Sequence, residues 1–299
     1  MSLLRFDRVG KSFSGRKVLD QLSFAVERSQ VYGLLGPNGC GKSTAINLLC
    51  NLLDPDQGTV HIGDSSSGDA KRILGICPQE IALYRDLNAI ENLRFFARIY
   101  GLGHAQRDTR VEKLVELFGF GGQARTPVGS LSGGWQRRVS IAVALVHNPE
   151  FVVLDEPTAG VDLEARHELW QLIEQLRDSG TTILLTTHHL DEAQRLCSRI
   201  GIMKNGRIAR EGSIPDLLAL VPGKMVAVVD SPEEMRVSGR AAELGWGIRH
   251  YAGKLACLLP QETSLKAVVD AFAGLELSAV TLQRVSLEHA FLEVVHEEP

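Results

Sequence analysis

Eight consecutive residues, Gly36, Pro37, Asn38, Gly39, Cys40, Gly41, Lys42 and Ser43, spell GxxxxGK followed by Ser. An apolar run lies directly before them at 31–35 and a helix-favouring stretch directly after at 43–49. Strand, glycine loop and helix in that order is the context in which this spacing binds phosphate. Glycines let backbone N–H groups turn inward around β- and γ-phosphates, and the helix N-terminus adds a favourable dipole. Lys42 brings a positive charge to the same oxygens, and Ser43 a hydroxyl for Mg²⁺. A second reactive pair closes the apolar run 151–154, where Asp155 and Glu156 follow one another. Ligands of open α/β sheets sit at the C-terminal ends of strands. Asp155 there suits Mg²⁺, commonly through water, and Glu156 suits a base that polarises the water attacking a γ-phosphate. The same two acids would also cap a following helix. Between these motifs lies Leu131-Ser132-Gly133-Gly134-Trp135-Gln136. It reads either as a second anion site made by the Ser132 hydroxyl and backbone amides, or as an N-cap followed by a turn.

Positioning these groups requires alternating strands and helices. Residues 3–6 and 22–26 read as strands around a turn at Ser14-Gly15, and 31–35 as a buried strand. Apolar positions recur every three and four residues over 87–100 and 109–117, predicting two amphipathic helices. Residues 139–146 predict an apolar helix, 151–154 a buried strand, 169–176 a helix and 182–185 another strand. The alternation predicts a parallel core sheet with a helical insertion. The pattern breaks near Leu220-Val221-Pro222-Gly223. This places a boundary between residues 1–220 and a smaller unit at 225–299. In the latter, strand-helix-strand-strand-helix-strand order fits a ferredoxin-like α+β sandwich. Ser65-Ser66-Ser67 reads as a surface turn.

At 299 residues the chain is long enough for two domains, and 44% hydrophobic with 23% charged residues is ordinary for a folded protein. Thirty-two basic against 36 acidic residues leave a net charge of -4, which gives no field to recruit DNA, and no nucleic-acid partner is expected. Cys40, Cys50, Cys77, Cys197 and Cys257 are scattered, without a CxxC pair, so neither a disulfide framework nor a zinc site is expected and a reducing compartment fits. Arg5, Asp7 and Arg8 interrupt the first apolar residues, which predicts no export signal there. No apolar run approaches the ~18–20 residues that span a bilayer, so a membrane role calls for a partner.

Taken in order, the glycine loop, Cys77-Pro78-Gln79-Glu80, Leu131-Ser132-Gly133-Gly134, Leu154-Asp155-Glu156-Pro157-Thr158, Ala159-Gly160-Val161-Asp162 and Thr186-Thr187-His188 resemble the nucleotide-binding subunit of an ABC transporter over about residues 1–220. The resemblance implies a P-loop NTPase fold, with ATP and Mg²⁺ as cofactors. Residues 36–43 and Thr44 would bind the phosphates, and Phe13 would stack on adenine. Gln79 would sense Mg²⁺ beside Ser43 and Asp155 and face the permease. Glu156 and His188 would act on the γ-phosphate, with His188 holding it. Ser132, Gly133 and Gly134 would grip the ATP of a second copy, and Asp162 would couple the two sites. The implied partners are a separately encoded integral membrane permease and a second copy of the chain. The implied location is cytoplasmic, at the inner face of the membrane.

The stretches 78–84, 91–96 and 100–102, with 285–292 near the end of the chain, resemble the branch serving drug, lipid and polysaccharide exporters. One departure is Trp135, where many members of the family have Gln directly after the two glycines. Several readings stay open. Phe13 also suits a core position. Cys40 is either a reactive thiol near a helix N-terminus or a small filler. His189 reads as a surface residue. Ile81, Leu83, Tyr84 and Leu87 form either an exposed patch for the permease or a core face. A soluble ABC ATPase acting as an assembly or mechanical factor is the alternative function.

Overall fold

The computed structural model describes residues 2–63, 70–251 and 253–296. The turn expected at Ser65–Ser67 lies outside them. Two compact units divide the chain, Met1–Glu211 and Gly212–Pro299.

Two long strands, β1 (Ser2–Phe13) and β2 (Arg16–Glu27), open the first unit as an antiparallel hairpin. Its turn, Ser14-Gly15, takes positive φ at both residues (49° and 82°), the geometry that matches strand twist in two-residue hairpins. Next come β3 (Val31–Leu35), α1 (Lys42–Leu49) and β4 (Gln57–Ile62), which pairs antiparallel with β1. β3 is buried at all five positions, as expected of a central strand covered on both faces. After α2 (Ala70–Ile73) and β5 (Leu74–Cys77), the chain builds a helical segment from α3 (Ala89–Ile99) and α4 (His104–Leu117). An Asn88–Glu91 capping box starts α3.

The remaining elements of this unit are α5 (Gly133–Ala144), β6 (Phe151–Asp155), α6 (Leu163–Asp178), β7 (Thr182–Thr187), α7 (Leu190–Leu196), β8 (Arg199–Lys204) and β9 (Arg207–Gly212). They complete a six-stranded sheet in the order β5-β6-β7-β3-β8-β9, with parallel pairing from β5 through β8. α5 starts six residues before the stretch expected from periodicity, because Ser132 caps it. Phe6 stacks on Phe24 at 4.6 Å between ring centroids, and Phe24 on Tyr32 at 5.3 Å. This aromatic column packs the antiparallel sheet against the parallel one. Burying each such ring is worth roughly 1.5–3 kcal/mol. The column anchors β3, which pairs with β7 and β8, and with it the start of the glycine loop.

The second unit begins with α8 (Ile214–Leu218), which carries a Ser213–Asp216 capping box and packs against the last helix of the unit. Its other elements are β10 (Met225–Asp230), α9 (Glu234–Glu243), β11 (Gly247–Tyr251), β12 (Lys254–Leu259), α10 (Leu265–Ala271), β13 (Ala279–Arg284) and α11 (Leu287–His296). The four strands form an antiparallel sheet in the order β11-β12-β10-β13. The division at Glu211/Gly212 falls earlier than the pattern break near Leu220–Gly223. That break is the turn from α8 into β10, inside the second unit.

Candidate active site

The glycine loop joins β3 to α1. Gly41 is the N-cap of α1 at φ 110°, and a Cβ there would lie 2.6 Å from Leu19 Cδ2 and 2.9 Å from Met203 Cε. Both the left-handed backbone and the close approach require glycine. Lys42 is buried and donates to the Gly36 carbonyl at 2.7 Å and the Pro37 carbonyl at 3.3 Å. A cleft of about 530 Å³ is lined by Asn38, Gly39, Gly41, Lys42, Ser43 and Thr44 on one side and by Gln79, Asp155, Glu156 and His188 on the other. An adjoining cleft of about 550 Å³ runs along Pro37, Asn38, Gly39 and Cys40 to Arg16 and Lys17. Folding therefore brings the loop, the Asp155-Glu156 pair, Gln79 and His188 together.

Asp155 ends β6 and accepts a hydrogen bond from the Thr186 hydroxyl of β7. Burial pushes its carboxyl up. The Thr186 hydroxyl opposes that, the Glu156 charge adds to it, and Lys42 and Arg137 oppose it. Glu156 takes φ 47°, an uncommon conformation for a residue with a side chain and one that concentrates at functional sites. Its N–H is held by the Thr186 carbonyl at 2.9 Å and the Thr186 hydroxyl at 3.2 Å. Its carboxylate meets Gln79 Nε2 at 3.4 Å and His188 Nδ1 at 3.1 Å. The Ser43 hydroxyl, Asp155 carboxylate and Gln79 amide line the same cleft. These hard oxygen donors fit Mg²⁺, which favours a few protein oxygens beside phosphate oxygens.

The other expected site residues lie apart. Ser132, Gly134 and Asp162 line a separate cavity of about 240 Å³ with Trp135 and Arg138, and no residue belongs to both cavities. Gly133 is exposed beside them. Ser132 caps α5 by accepting from Trp135 N at 3.5 Å, and Asp162 caps α6 by accepting from Ala165 N at 2.9 Å. A Cβ on Gly134 would stand 2.6 Å from Ala165 Cβ, so glycine lets α5 approach α6. The Trp135 indole lies under the Arg138 guanidinium at 4.8 Å. Phe13 is 43% exposed at the end of β1, with Lys11 Nζ 5.7 Å from its ring, which removes the core reading.

Two expectations change. Cys40 is buried and burial raises its thiol, so the filler reading holds and the reactive one does not. His189 is half-buried and opens α7, its N–H donating to Thr187 Oγ1 at 2.9 Å. Ile81, Leu83 and Leu87 are half-buried and Tyr84 is 50% exposed, with Tyr84 edge-on to Phe95 at 4.5 Å. Beside them an apolar groove of about 450 Å³ runs along α3 past Leu87, Phe95 and Ile99.

Sequence reasoning assigned no role to three participants. Thr186 anchors both acids from the neighbouring strand. Glu192, fully buried, accepts from Thr158 Oγ1 at 2.9 Å and Trp170 Nε1 at 3.1 Å. Arg137, also buried, reaches the main chain beside Gln79 and Glu156. A signal for it exists, since Arg137 falls on one helical face with Ser140, Ile141 and Ala144 at three- and four-residue spacing.

The profile of the family described as "ABC transporter" matches residues 19–159. The Nod factor export ATP-binding protein I of Burkholderia thailandensis is 36% identical over 298 residues, covering 98% of this chain and 97% of the relative. The linearmycin resistance ATP-binding protein LnrL of Bacillus subtilis is 36% identical over 228 residues, covering 75% of this chain and 73% of the relative. A solved ATP-binding cassette, dimeric and in a post-hydrolysis state with ADP and Pi, superposes with a TM-score of 0.61 at 26% identity over 70% of this chain and 98% of its own. With its phosphate loop, paired acids, Gln79 and His188 gathered at one cleft, this chain belongs to the ATP-binding, ATP-hydrolysing proteins of the ABC transporter family.

Proposed function

We propose that the chain powers an exporter whose membrane pore is a separate polypeptide, with two copies closing around two MgATP and parting after hydrolysis. Residues 36–44 hold the phosphates, and Lys42 neutralises them. Ser43, Asp155 and Gln79 hold Mg²⁺, which supplies charge neutralisation at the transferring phosphoryl group. Glu156 orients and deprotonates water, and His188 donates to the γ-phosphate. Phe13 stacks on adenine.

The observation that carries the dimer is the separation of the two cavities. Ser132, Gly134 and Asp162 share no cavity with Lys42, so within one chain they line no part of the phosphate cleft. A second copy, turned head to tail, supplies them to the nucleotide, making ATP a ligand that bridges a twofold interface. The dimeric cassette among the similar structures supports this reading. Export is supported by the relatives' names, which speak of Nod factor export and linearmycin resistance. A drug-like, lipid or polysaccharide cargo follows by analogy. Among the described residues no helix is long and apolar enough to cross a membrane. We place the permease on the groove beside Tyr84, Leu87, Phe95 and Ile99, where Ile99 is 64% exposed, and the chain on the cytoplasmic side. Residues 212–299 we read as a ferredoxin-like accessory domain, on their element order.

Glu156→Gln tests the scheme. The amide is nearly isosteric, so packing and nucleotide binding survive while the base is lost. On size exclusion the variant shifts from monomer to dimer with MgATP and stays monomeric with ADP. Near wild-type turnover removes Glu156 as the base, and a monomer at saturating MgATP removes the proposed closure.

A further inference from the structure

Arg137 stands in α5, five residues after Ser132, and is 3% exposed. Its guanidinium donates to four acceptors. Nη1 meets the Pro78 carbonyl at 2.6 Å and Cys77 Sγ at 3.7 Å, and Nη2 meets the Gln79 carbonyl at 2.7 Å and the Glu156 carbonyl at 3.4 Å. Cys77 Sγ is itself tied to Ser140 Oγ, one turn along α5, at 3.3 Å. The acceptors belong to the C-terminal ends of two paired strands, β5 and β6, or to the residues just beyond them.

Three physical points give this cluster a purpose. A cation taken out of water is costly unless its donors are well satisfied. Among the described residues no carboxylate pairs with Arg137 within salt-bridge distance; main-chain carbonyls do the work, and the two shortest bonds have charge-assisted lengths. The planar fork matches two consecutive carbonyls, Pro78 and Gln79, a geometry one ammonium cannot reproduce. Finally, the Gln79 amide and the Glu156 carboxylate meet at 3.4 Å, and the backbones of these same two residues end on the same nitrogen, Nη2.

We propose that Arg137 is a positioning residue for hydrolysis: it fixes the main chain of Gln79 and Glu156 to one another and to the helix that Ser132 opens. The inference rests on the reading of Glu156 as the base. The direct nucleotide contacts proposed above, the loop 36–44 with Phe13 at adenine and His188 at the γ-phosphate, are ones that Arg137 does not touch. Loss of the guanidinium therefore lowers kcat and leaves ATP binding alone.

The test uses the full chain, with Arg137→Met, Arg137→Lys, Gln79→Ala and the Met/Ala double variant. Arg137→Met should lower kcat at least tenfold while KM for ATP and the affinity for a fluorescent ATP analogue stay within twofold. Arg137→Lys, which keeps the charge and reaches one or two of the carbonyls, should recover part of the loss. The double variant should be no slower than the slower single one, because both act on one placement. Should Arg137→Met not fold, Arg137→Lys carries the test with a smaller fall in kcat at constant KM. Wild-type kcat in either Arg137 variant, a parallel loss of nucleotide affinity, or multiplying effects in the double variant overturns the proposal. Glu156→Gln separates the two levels. If it retains turnover, the reading of the base falls and this proposal with it. If it is inactive while the Arg137 variants are normal, only the role of Arg137 falls.

Discussion

Lys42 shows how a local spacing becomes chemistry. The loop turns at Gly41, buries most of the Lys42 side chain at the cleft wall and holds its ammonium on the Gly36 and Pro37 carbonyls. Lys42→Ala removes that charge without disturbing the apolar core. Turnover should fall roughly a hundredfold or more, and the MgATP-driven dimer of the Glu156→Gln background should vanish; an ATPase assay on the purified variant checks the first. Cys40, two residues away, behaves differently. Burial raises its thiol, so the thiolate that an alkylating agent needs is scarce near neutral pH. N-ethylmaleimide should leave turnover within twofold at pH 7, and Cys40→Ala should do the same. Inhibition that MgATP prevents in the wild type and that is absent from Cys40→Ala would reverse this assignment. The glycine loop was legible because all its parts are consecutive. Arg137 was not, because its acceptors Pro78 and Gln79 lie 59 and 58 positions away in sequence and only folding brings them together.

Helix starts were harder to read than helix existence, because a cap competes with apolar periodicity for the boundary. Ser132 and Asp162 serve as N-caps of α5 and α6 while lining one cavity, so the capping reading of Ser132 holds and leaves its side chain at a cavity wall. α7 carries a lock that sequence did not announce. Glu192 joins Thr158, just after the paired acids, to Trp170 of α6. Burial pushes its carboxyl up, opposed by the hydroxyl of Thr187 and by the hydrogen bonds from Thr158 and Trp170. A folded-state value above the unfolded one, near 4.3, fixes the sign. The stabilisation is fully present below the unfolded value and is lost as pH rises through the folded one. Glu192→Gln keeps an acceptor for both donors and cannot ionise. Its melting temperature should therefore change less with rising pH above about pH 4 than that of the wild type. Glu192→Ala strands two buried donors and should cost about 1–3 kcal/mol. Equal pH slopes in wild type and Glu192→Gln, read by thermal melts from pH 5 to 9, would count against an ionising Glu192.

At the scale of the molecule, the parallel sheet was legible because strands such as Val31–Leu35 are apolar at both alternating faces. The unit boundary was less so. Pro222 and Gly223 look like a linker, whereas α8 before them packs on α11 and belongs with the C-terminal sheet. In the proposed dimer two copies share the site, and Ser132→Arg tests that directly. The substitution puts a long cationic side chain into the cavity of Ser132, Gly134, Trp135 and Asp162. It also removes a cap, a loss of about 1 kcal/mol that a small fall in melting temperature would report. The phosphate cleft, lined by other residues, is untouched. Monomeric Ser132→Arg should therefore bind ATP with unchanged affinity, yet in the Glu156→Gln background it should stay monomeric with MgATP, and alone it should turn over slowly. Mixing Ser132→Arg with Lys42→Ala sharpens the argument, because a head-to-tail pair of these two variants contains one site with both defects and one with neither. In that mixture, with both chains carrying Glu156→Gln, MgATP should produce a heterodimer that neither variant forms with itself. Failure of the pair to associate, or loss of nucleotide affinity in monomeric Ser132→Arg, would mean that Ser132 acts within its own chain.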